Sequence, residues 1–245
     1  MNTQTTIEKL KSLRLRAMSE LYHRSLHKKQ FPKYTTDEFI ALLVDTEWEA
    51  RHNRKIDGLV KNARFSLNAS ANDIDYTSNR SLNKNTFQRL LGLEFIKQAE
   101  NIIITGPTGI GKSYLAQAIG KEACIFTKKT SYFNWITFSE QVKIAKLDGS
   151  YLKLLQRIQN NELLIIDDFG LHPFDNYTRQ ALMDVIEAKY NKSSIIISSQ
   201  IPVSQWHQLI GEGTIADAML DRLVHASHRI ELSGESLRKN RKLKG

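Results

Sequence analysis

Eight consecutive residues, Gly106-Pro107-Thr108-Gly109-Ile110-Gly111-Lys112-Ser113, place three glycines, a lysine and a hydroxyl in one short stretch. An apolar run, Ile102-Ile103-Ile104, precedes them, and a helical pattern follows. Glycines let backbone amides turn inward around an anion where side chains would obstruct. A helix starting at the end of the stretch directs its positive N-terminus at the same anion. Lys112 can neutralise β and γ phosphates, and the Ser113 hydroxyl suits Mg²⁺. The spacing G-x-x-x-x-G-K-[ST] between a strand and a helix specifies a phosphate-binding loop. Residues 106–113 are therefore expected to bind ATP, or a close relative, with Mg²⁺.

A second constellation is Leu163-Leu164-Ile165-Ile166-Asp167-Asp168, a buried-type strand ending in two carboxylates. It begins about fifty residues after the loop, room for a helix, a strand and another helix. In open α/β sheets, ligands bind at the C-terminal ends of strands. Asp167 is expected to hold Mg²⁺, which prefers hard oxygen ligands. Asp168 is expected to orient and deprotonate the attacking water. A third strand, Ile195-Ile196-Ile197-Ser198-Ser199-Gln200, also ends in polar groups. Either Gln200 or Ser199 holds the lytic water or senses the γ-phosphate, or the hydroxyls only cap the strand before Pro202. Arg222 admits two readings as well. It faces a neighbouring chain's γ-phosphate, or it forms a surface pair with Asp217 or Asp221. Cys124 reads as core filler, and the histidines show no metal-ligand spacing, His225 and His228 included.

These residues need a scaffold. Apolar strands are expected at 101–105, 130–134, 162–167, 194–199 and 227–232. Helices are expected between them, at about 112–126, 137–158, 174–190 and 203–223, with Thr137 and Glu140 as a capping box. Strands apolar throughout and separated by helices predict a parallel five-stranded sheet covered on both faces. Residues 1–65 read as a small all-helical domain. Ile7, Leu10, Leu13, Ala17 and Leu21 share one helix, broken by Pro32. A second helix opens at the capping box Thr35-x-x-Glu38 and is expected to bury Phe39, Leu42, Leu43, Trp48, Ile56 and Leu59. The polar stretch 66–85 reads as a linker with a short anchor at Ile74 to Tyr76, and 235–245 as a basic tail.

The chain has 245 residues and a net charge of +9, with one cysteine. The excess sits at the ends: +5 over residues 1–65, zero over 66–234 and +4 over 235–245. Basic ends fit either a nucleic-acid footprint or solvated helix faces and a soluble tail. No apolar run approaches the roughly 20 residues that cross a bilayer, and the N-terminus lacks a signal-peptide core. A cytoplasmic protein with no membrane partner is expected.

The sequence resembles the IstB-like ATP-binding proteins, helper ATPases of insertion-sequence transposition within the AAA+ class of P-loop NTPases, close to the bacterial helicase loaders. The resemblance rests on Gly106–Ser113, Leu163-Leu-Ile-Ile-Asp-Asp-Phe-Gly170, Ile196-Ile-Ser-Ser-Gln-Ile-Pro-Val203, Trp206-His207, the run from Ile215 to His225 and the run from Arg229 to Arg238. It implies an AAA+ core over 86–234 with a reduced lid. It also implies that Arg222 is an arginine finger acting on ATP of the next subunit, that Gln200 is the first sensor, and that Arg238 is a second sensor closing on the same subunit's nucleotide. Implied partners are double-stranded DNA, a cognate transposase, and further copies of the chain assembling with ATP and DNA. Two positions depart from the AAA+ pattern: Asp168 stands where Glu is usual, implying slow hydrolysis, and Gln200 stands where Asn is common. Other readings of the same motor are a helicase loader and a DNA clamp switched by ATP with negligible turnover. A small-metabolite kinase would need an Arg-rich lid and a substrate pocket, and the sequence suggests neither.

Overall fold

The computed structural model describes residues 3–27, 34–77, 80–225 and 227–237. The chain divides into two compact units, 1–58 and 59–245.

In the first unit, helices α1 (Thr3–Ser12) and α2 (Arg16–His27) precede α3 (Thr36–Ala63), which runs on into the second unit. The single helix expected across Leu10 to Leu21 is two, because the chain turns at Leu13 and Arg14, where Arg14 adopts φ +62°. Glu47 accounts for the break. This buried α3 carboxylate accepts the amides of Ala17 (2.9 Å) and Met18 (3.2 Å). It thereby caps a new helix start with negative charge, which a continuous helix would not offer. The Thr35–Glu38 capping box forms as expected: the Thr35 amide donates to Glu38 Oε2 at 2.7 Å and the Glu38 amide to Thr35 Oγ1 at 3.3 Å. Trp48, expected inside, is 63% exposed.

The second unit is built on five parallel strands: β1 (Asn101–Thr105), β2 (Thr130–Asn134), β3 (Leu163–Asp167), β4 (Ser194–Ser199) and β5 (Ser227–Glu231), in the order β2-β3-β4-β1-β5. Their predicted bounds hold to within a residue. β4 lies between β1 and β3, so all three C-terminal ends meet on one rim. Alternation sends Ile103, Leu164, Ile166, Ile195 and Ile197 to one face, against α7 (Trp135–Leu147), α8 (Tyr151–Gln159), α9 (Asn176–Lys189), α10 (Trp206–Ile210) and α11 (Gly213–Val224). Ile102, Ile104, Leu163, Ile165 and Ile196 point to the other face, beneath α4 (Lys84–Leu91), α5 (Glu94–Lys97) and α6 (Lys112–Ile125). This is the doubly covered sheet expected of apolar strands.

Three expectations are corrected here. The helix expected over 137–158 is two, separated at Asp148-Gly149-Ser150, where Gly149 has φ +75°. The first of them starts at Trp135, not Thr137, because the Asn134 side chain caps it by accepting the Ile136 amide at 3.1 Å. The stretch 66–85 is anchored more widely than at the expected segment Ile74 to Tyr76. Ala69, Ile74 and Arg80 are buried, and Gln117 on α6 accepts the Leu67 amide at 2.8 Å.

Candidate functional site

The phosphate-type loop joins β1 to α6 at the crowded rim. Gly109 and Gly111 both have positive φ, +76° and +103°, which L-residues with side chains rarely adopt. They also have no spare room. A Cβ on Gly109 would collide with the Ser236 side chain, and one on Gly111 would lie 2.6 Å from an Arg80 guanidinium nitrogen. The loop is therefore held from outside, with Leu237 N–H donating to the Gly109 carbonyl at 3.0 Å and Arg80 Nη1 to the Ile110 carbonyl at 3.3 Å. Arg80 is 3% exposed; Nη2 donates to the Asp75 carbonyl at 2.7 Å, while its Nε has no partner among the described residues. Lys112 is buried, with Nζ donating to the Pro107 carbonyl at 2.9 Å. The carbonyls of Pro107, Gly109 and Ile110 are thus all bonded, which fixes the loop in a turn of the kind that cradles a polyphosphate.

Asp167, at the tip of β3, is 2% exposed and held by hydroxyls. Ser113 Oγ donates to Oδ1 at 3.0 Å, Ser198 Oγ to the same oxygen, and Tyr132 Oη to Oδ2 at 2.9 Å. The helix following the loop and the carboxylate strand thus meet at the Ser113–Asp167 pair, an all-oxygen donor set suited to a hard divalent cation. Burial, with the Asp167 and Asp168 carboxylates beside it, pushes the Tyr132 hydroxyl well above the usual phenol range, so it remains a donor. Tyr132 is in turn bonded to Ser66 Oγ at 3.1 Å, which Gln117 supports.

Asp168 stands one residue on, in a left-handed turn with φ +56°, a conformation Asp tolerates better than most residues. The turn sits on the buried aromatic rings of Phe169, Trp135 and Trp206, with Phe169 4.7 Å from Trp206 centroid to centroid. It swings the Asp168 carboxylate away from Asp167 to Asn134 Nδ2, at 3.0 Å. Burial first, then the Asp167 charge, raises its pKa. Lys112 and hydrogen bonds from Asn134 and Gln200 pull it partly back, and it stays above the usual carboxylate range. A carboxylate whose pKa is raised is a better proton acceptor than an ordinary one.

Of the two candidates after β4, Gln200 reaches Asp168. Ser199 turns back, donating to the Phe169 carbonyl at 2.7 Å and accepting the Ile201 amide at 3.0 Å. Ser198, not assigned from sequence, bonds Asp167.

Arg222 lies on α11, far from this cluster. Its backbone carbonyl accepts from Asn101 Nδ2 at 3.2 Å, and Asn101 opens β1 while the loop follows its end. The two ends are about 13 Å apart, at ~3.3 Å per residue. Its guanidinium points to Glu187 (3.3 Å) and the Tyr190 ring. The surface pair with Asp217 or Asp221 does not form among the described residues; those carboxylates engage His207 and His225. Arg238 lies outside the described residues.

This rim has the strand, glycine-rich loop and helix expected of a P-loop NTPase, and comparison with known proteins gives its kin. The family model described as IstB-like ATP binding protein matches residues 8–245. The chain belongs to that family. The insertion sequence ATP-binding protein y4pL of Sinorhizobium fredii is 38% identical over 239 residues, 98% of each chain. The insertion sequence IS5376 ATP-binding protein of Geobacillus stearothermophilus is 33% identical over 201 residues, 82% of this chain and 80% of that protein. Among solved structures, the DnaC helicase loader superposes with a TM-score of 0.58 at 18% identity, over 69% of this chain and 99% of that one. AMPPCP-bound DnaA from Aquifex aeolicus does so at 0.59 and 18%, over 74% and 56%. The fold of this IstB-like protein is thus that of an AAA+ P-loop NTPase. Among the described residues, no helix is long and apolar enough to cross a membrane.

Sequence reasoning missed Tyr132, Asn134, Ser66 and Arg80. Asn134 carried a signal, since a polar residue ending an apolar strand beside a carboxylate strand faces the same rim. Tyr132 and Ser66 carried none, because their partners are distant in sequence.

Proposed function

We propose that this IstB-like protein is an ATPase that assembles as a homo-oligomer on double-stranded DNA and directs the transposase of an insertion sequence. One observation carries the reading: Arg222 stands at the far end of β1 from its own loop. It lies too far to reach its own γ-phosphate, so an arginine finger at this position would act on the nucleotide of a neighbouring chain. The insertion-sequence relatives support the transposition context.

The residues divide the work. Amides of residues 108–111 and the start of α6 grip the phosphates, and Lys112 offsets charge on the β and γ groups. Ser113 and Asp167 would hold Mg²⁺, which supplies a positive centre that withdraws charge from the phosphate oxygens. Asp168, steadied by Asn134, takes a proton from water as its oxygen attacks the γ-phosphorus and the bond to the β-γ bridging oxygen breaks. Gln200, bonded to Asp168, orients that water. Arg222 of a neighbour meets the charge on the leaving oxygens, and Arg238 closes on its own subunit's nucleotide. Residues 1–65 contact DNA or the transposase; Lys9 and Lys11 close α1, and Arg24 and His27 close α2.

Light scattering and DNA-binding titrations with ATP, ADP and no nucleotide test this. ATP with double-stranded DNA is expected to raise both oligomer size and affinity. An unchanged monomer with unchanged DNA binding refutes it, and capture of a replicative helicase instead of the transposase redirects the motor to helicase loading.

A further inference from the structure

The residues that follow α3 are tied to Asp167. Ala63, the last residue of α3, is buried, and Arg64 turns the chain with φ +60°. The Phe65 ring then lies over α6 at Gly120. A Cβ there would stand 2.8 Å from the ring and 2.5 Å from Ile165, so only glycine leaves room. The ring also lies 6.4 Å from that of Tyr132, centroid to centroid. Ser66 and Leu67 share one partner, the fully buried Gln117 of α6. Gln117 Oε1 accepts the Leu67 amide at 2.8 Å, and Nε2 donates to Ser66 Oγ at 3.0 Å.

The supply of hydrogens fixes the direction of these bonds. The Leu67 amide can only donate, so the Gln117 oxygen faces it and the Gln117 nitrogen faces Ser66. Tyr132 has one hydroxyl hydrogen and gives it to Asp167 Oδ2, so Ser66, at 3.1 Å, gives its own to Tyr132. The chain runs one way, from Gln117 to Ser66 to Tyr132 to Asp167, and each donor polarises the next. It closes through α6, where Ser113, one turn before Gln117, donates to Asp167 Oδ1. Both carboxylate oxygens are thus held, with Oδ1 kept on the Ser113 side. Arg64, Ser66, Leu67 and Asn68 are nonetheless exposed, so this segment can lift without opening the sheet.

We propose that residues 64–68 form a strap whose seating on α6 sets the Asp167 carboxylate for the divalent cation, with Ser66 and Gln117 as its positioning residues. This rests on the reading of Ser113 and Asp167 as the Mg²⁺ pair. Coupled binding free energies are reciprocal: a seated strap tightens the hold on the nucleotide's cation, and the cation holds the strap down. A lifted strap leaves Tyr132 without its donor and Asp167 free to turn away from Ser113.

Binding and hydrogen exchange on the full chain test this, with a slowly hydrolysed fluorescent ATP analogue in Mg²⁺ or in EDTA. Ser66→Ala and Gln117→Met are expected to lower the ratio of Mg²⁺ to EDTA affinity about threefold to tenfold, one neutral hydrogen bond's worth, with the EDTA affinity unchanged. Ser66→Thr, which keeps the hydroxyl, should retain the parent ratio. Residues 64–68 of the parent should exchange more slowly with analogue and Mg²⁺ than with analogue and EDTA. Asp167→Asn should abolish the advantage of Mg²⁺. If it does so while Ser66→Ala and Gln117→Met keep the parent ratio, or while exchange at 64–68 ignores Mg²⁺, the strap is overturned and the metal reading stands. If Asp167→Asn keeps the parent ratio, the metal reading falls and the strap falls with it.

Discussion

Tyr132→Phe removes one oxygen from the most buried part of the site and nothing else. That oxygen donates to Asp167 Oδ2 at 2.9 Å and is bonded to Ser66. Asp167 is 2% exposed, so water cannot replace the lost donor without opening the rim. A hydrogen bond to a charged group contributes roughly 1.5–3 kcal/mol. For a unit of 150–250 residues each kcal/mol moves the melting temperature by about 2–4 °C, so the variant should melt roughly 3–12 °C lower at pH 7.5 without nucleotide. Ser66→Ala, which removes the neutral half of the chain of hydroxyls, should cost about 0.5–1.5 kcal/mol and rank below it. Differential scanning calorimetry measures both. A Tyr132→Phe melting temperature within a degree of the parent, or a larger loss for Ser66→Ala, would refute the view that hydroxyls stabilise the Asp167 charge.

Asp168→Asn keeps a residue type that accepts the left-handed turn. It should bind ATP with unchanged affinity and lose turnover by at least about a hundredfold, read by isothermal titration and phosphate release. The same variant has a pH signature. The folded pKa of Asp168 is raised, so its contribution to stability is fully present below the unfolded value near 4 and is lost as pH rises through the folded value. Asp168→Asn should therefore melt above the parent at pH 8, with the gap closing toward pH 4; a constant gap refutes the assignment. Arg222→Ala should abolish turnover in uniform assemblies and recover it when mixed with a Lys112→Ala chain that retains Arg222, and absence of recovery argues against action between chains. Arg80→Met fills the same space without tying back Ile110, and should weaken ATP binding about tenfold, one charged hydrogen bond's worth, in a fluorescent-nucleotide titration.

The sheet was legible in the sequence because its strands are apolar on both faces and each ends in a distinct chemical group. Leu163 to Asp168 announces a buried strand and its carboxylates without reference to anything else. Breaks in the helices were less visible, because their causes lie elsewhere in the chain. The start of α2 is set by Glu47, thirty residues away, and apolar periodicity runs on through Leu13. Trp48 misled for a related reason: an apolar residue at helical spacing reads as core, and only three-dimensional packing reveals which stripe of a two-sided helix is turned outward. The stretch 66–85 looked like a linker from its asparagines and serines, yet Ser66, Asn68 and the Ser70 amide bond α6 and Tyr132. At the site, residues contiguous with a motif were readable. Those that brace it from other elements, Tyr132 on β2 and Arg80 before α4, were not.

Asn101 has a further consequence. Its amide spans three backbone groups, donating to the carbonyls of Arg222 and Leu223 and accepting the Ile195 amide at 2.9 Å. β1 is thus a stiff rod, bolted at its base to the helix that carries Arg222 and bearing the phosphate loop at its tip. If Arg222 acts on a neighbour's nucleotide as proposed, being drawn toward it would pull on the same rod that shapes this chain's loop. Along a row of such chains, each site would register the occupancy of the next through the five residues of β1, with no hinge or separate relay. Asn101→Ala, remote from any phosphate, cuts that rod loose at its base.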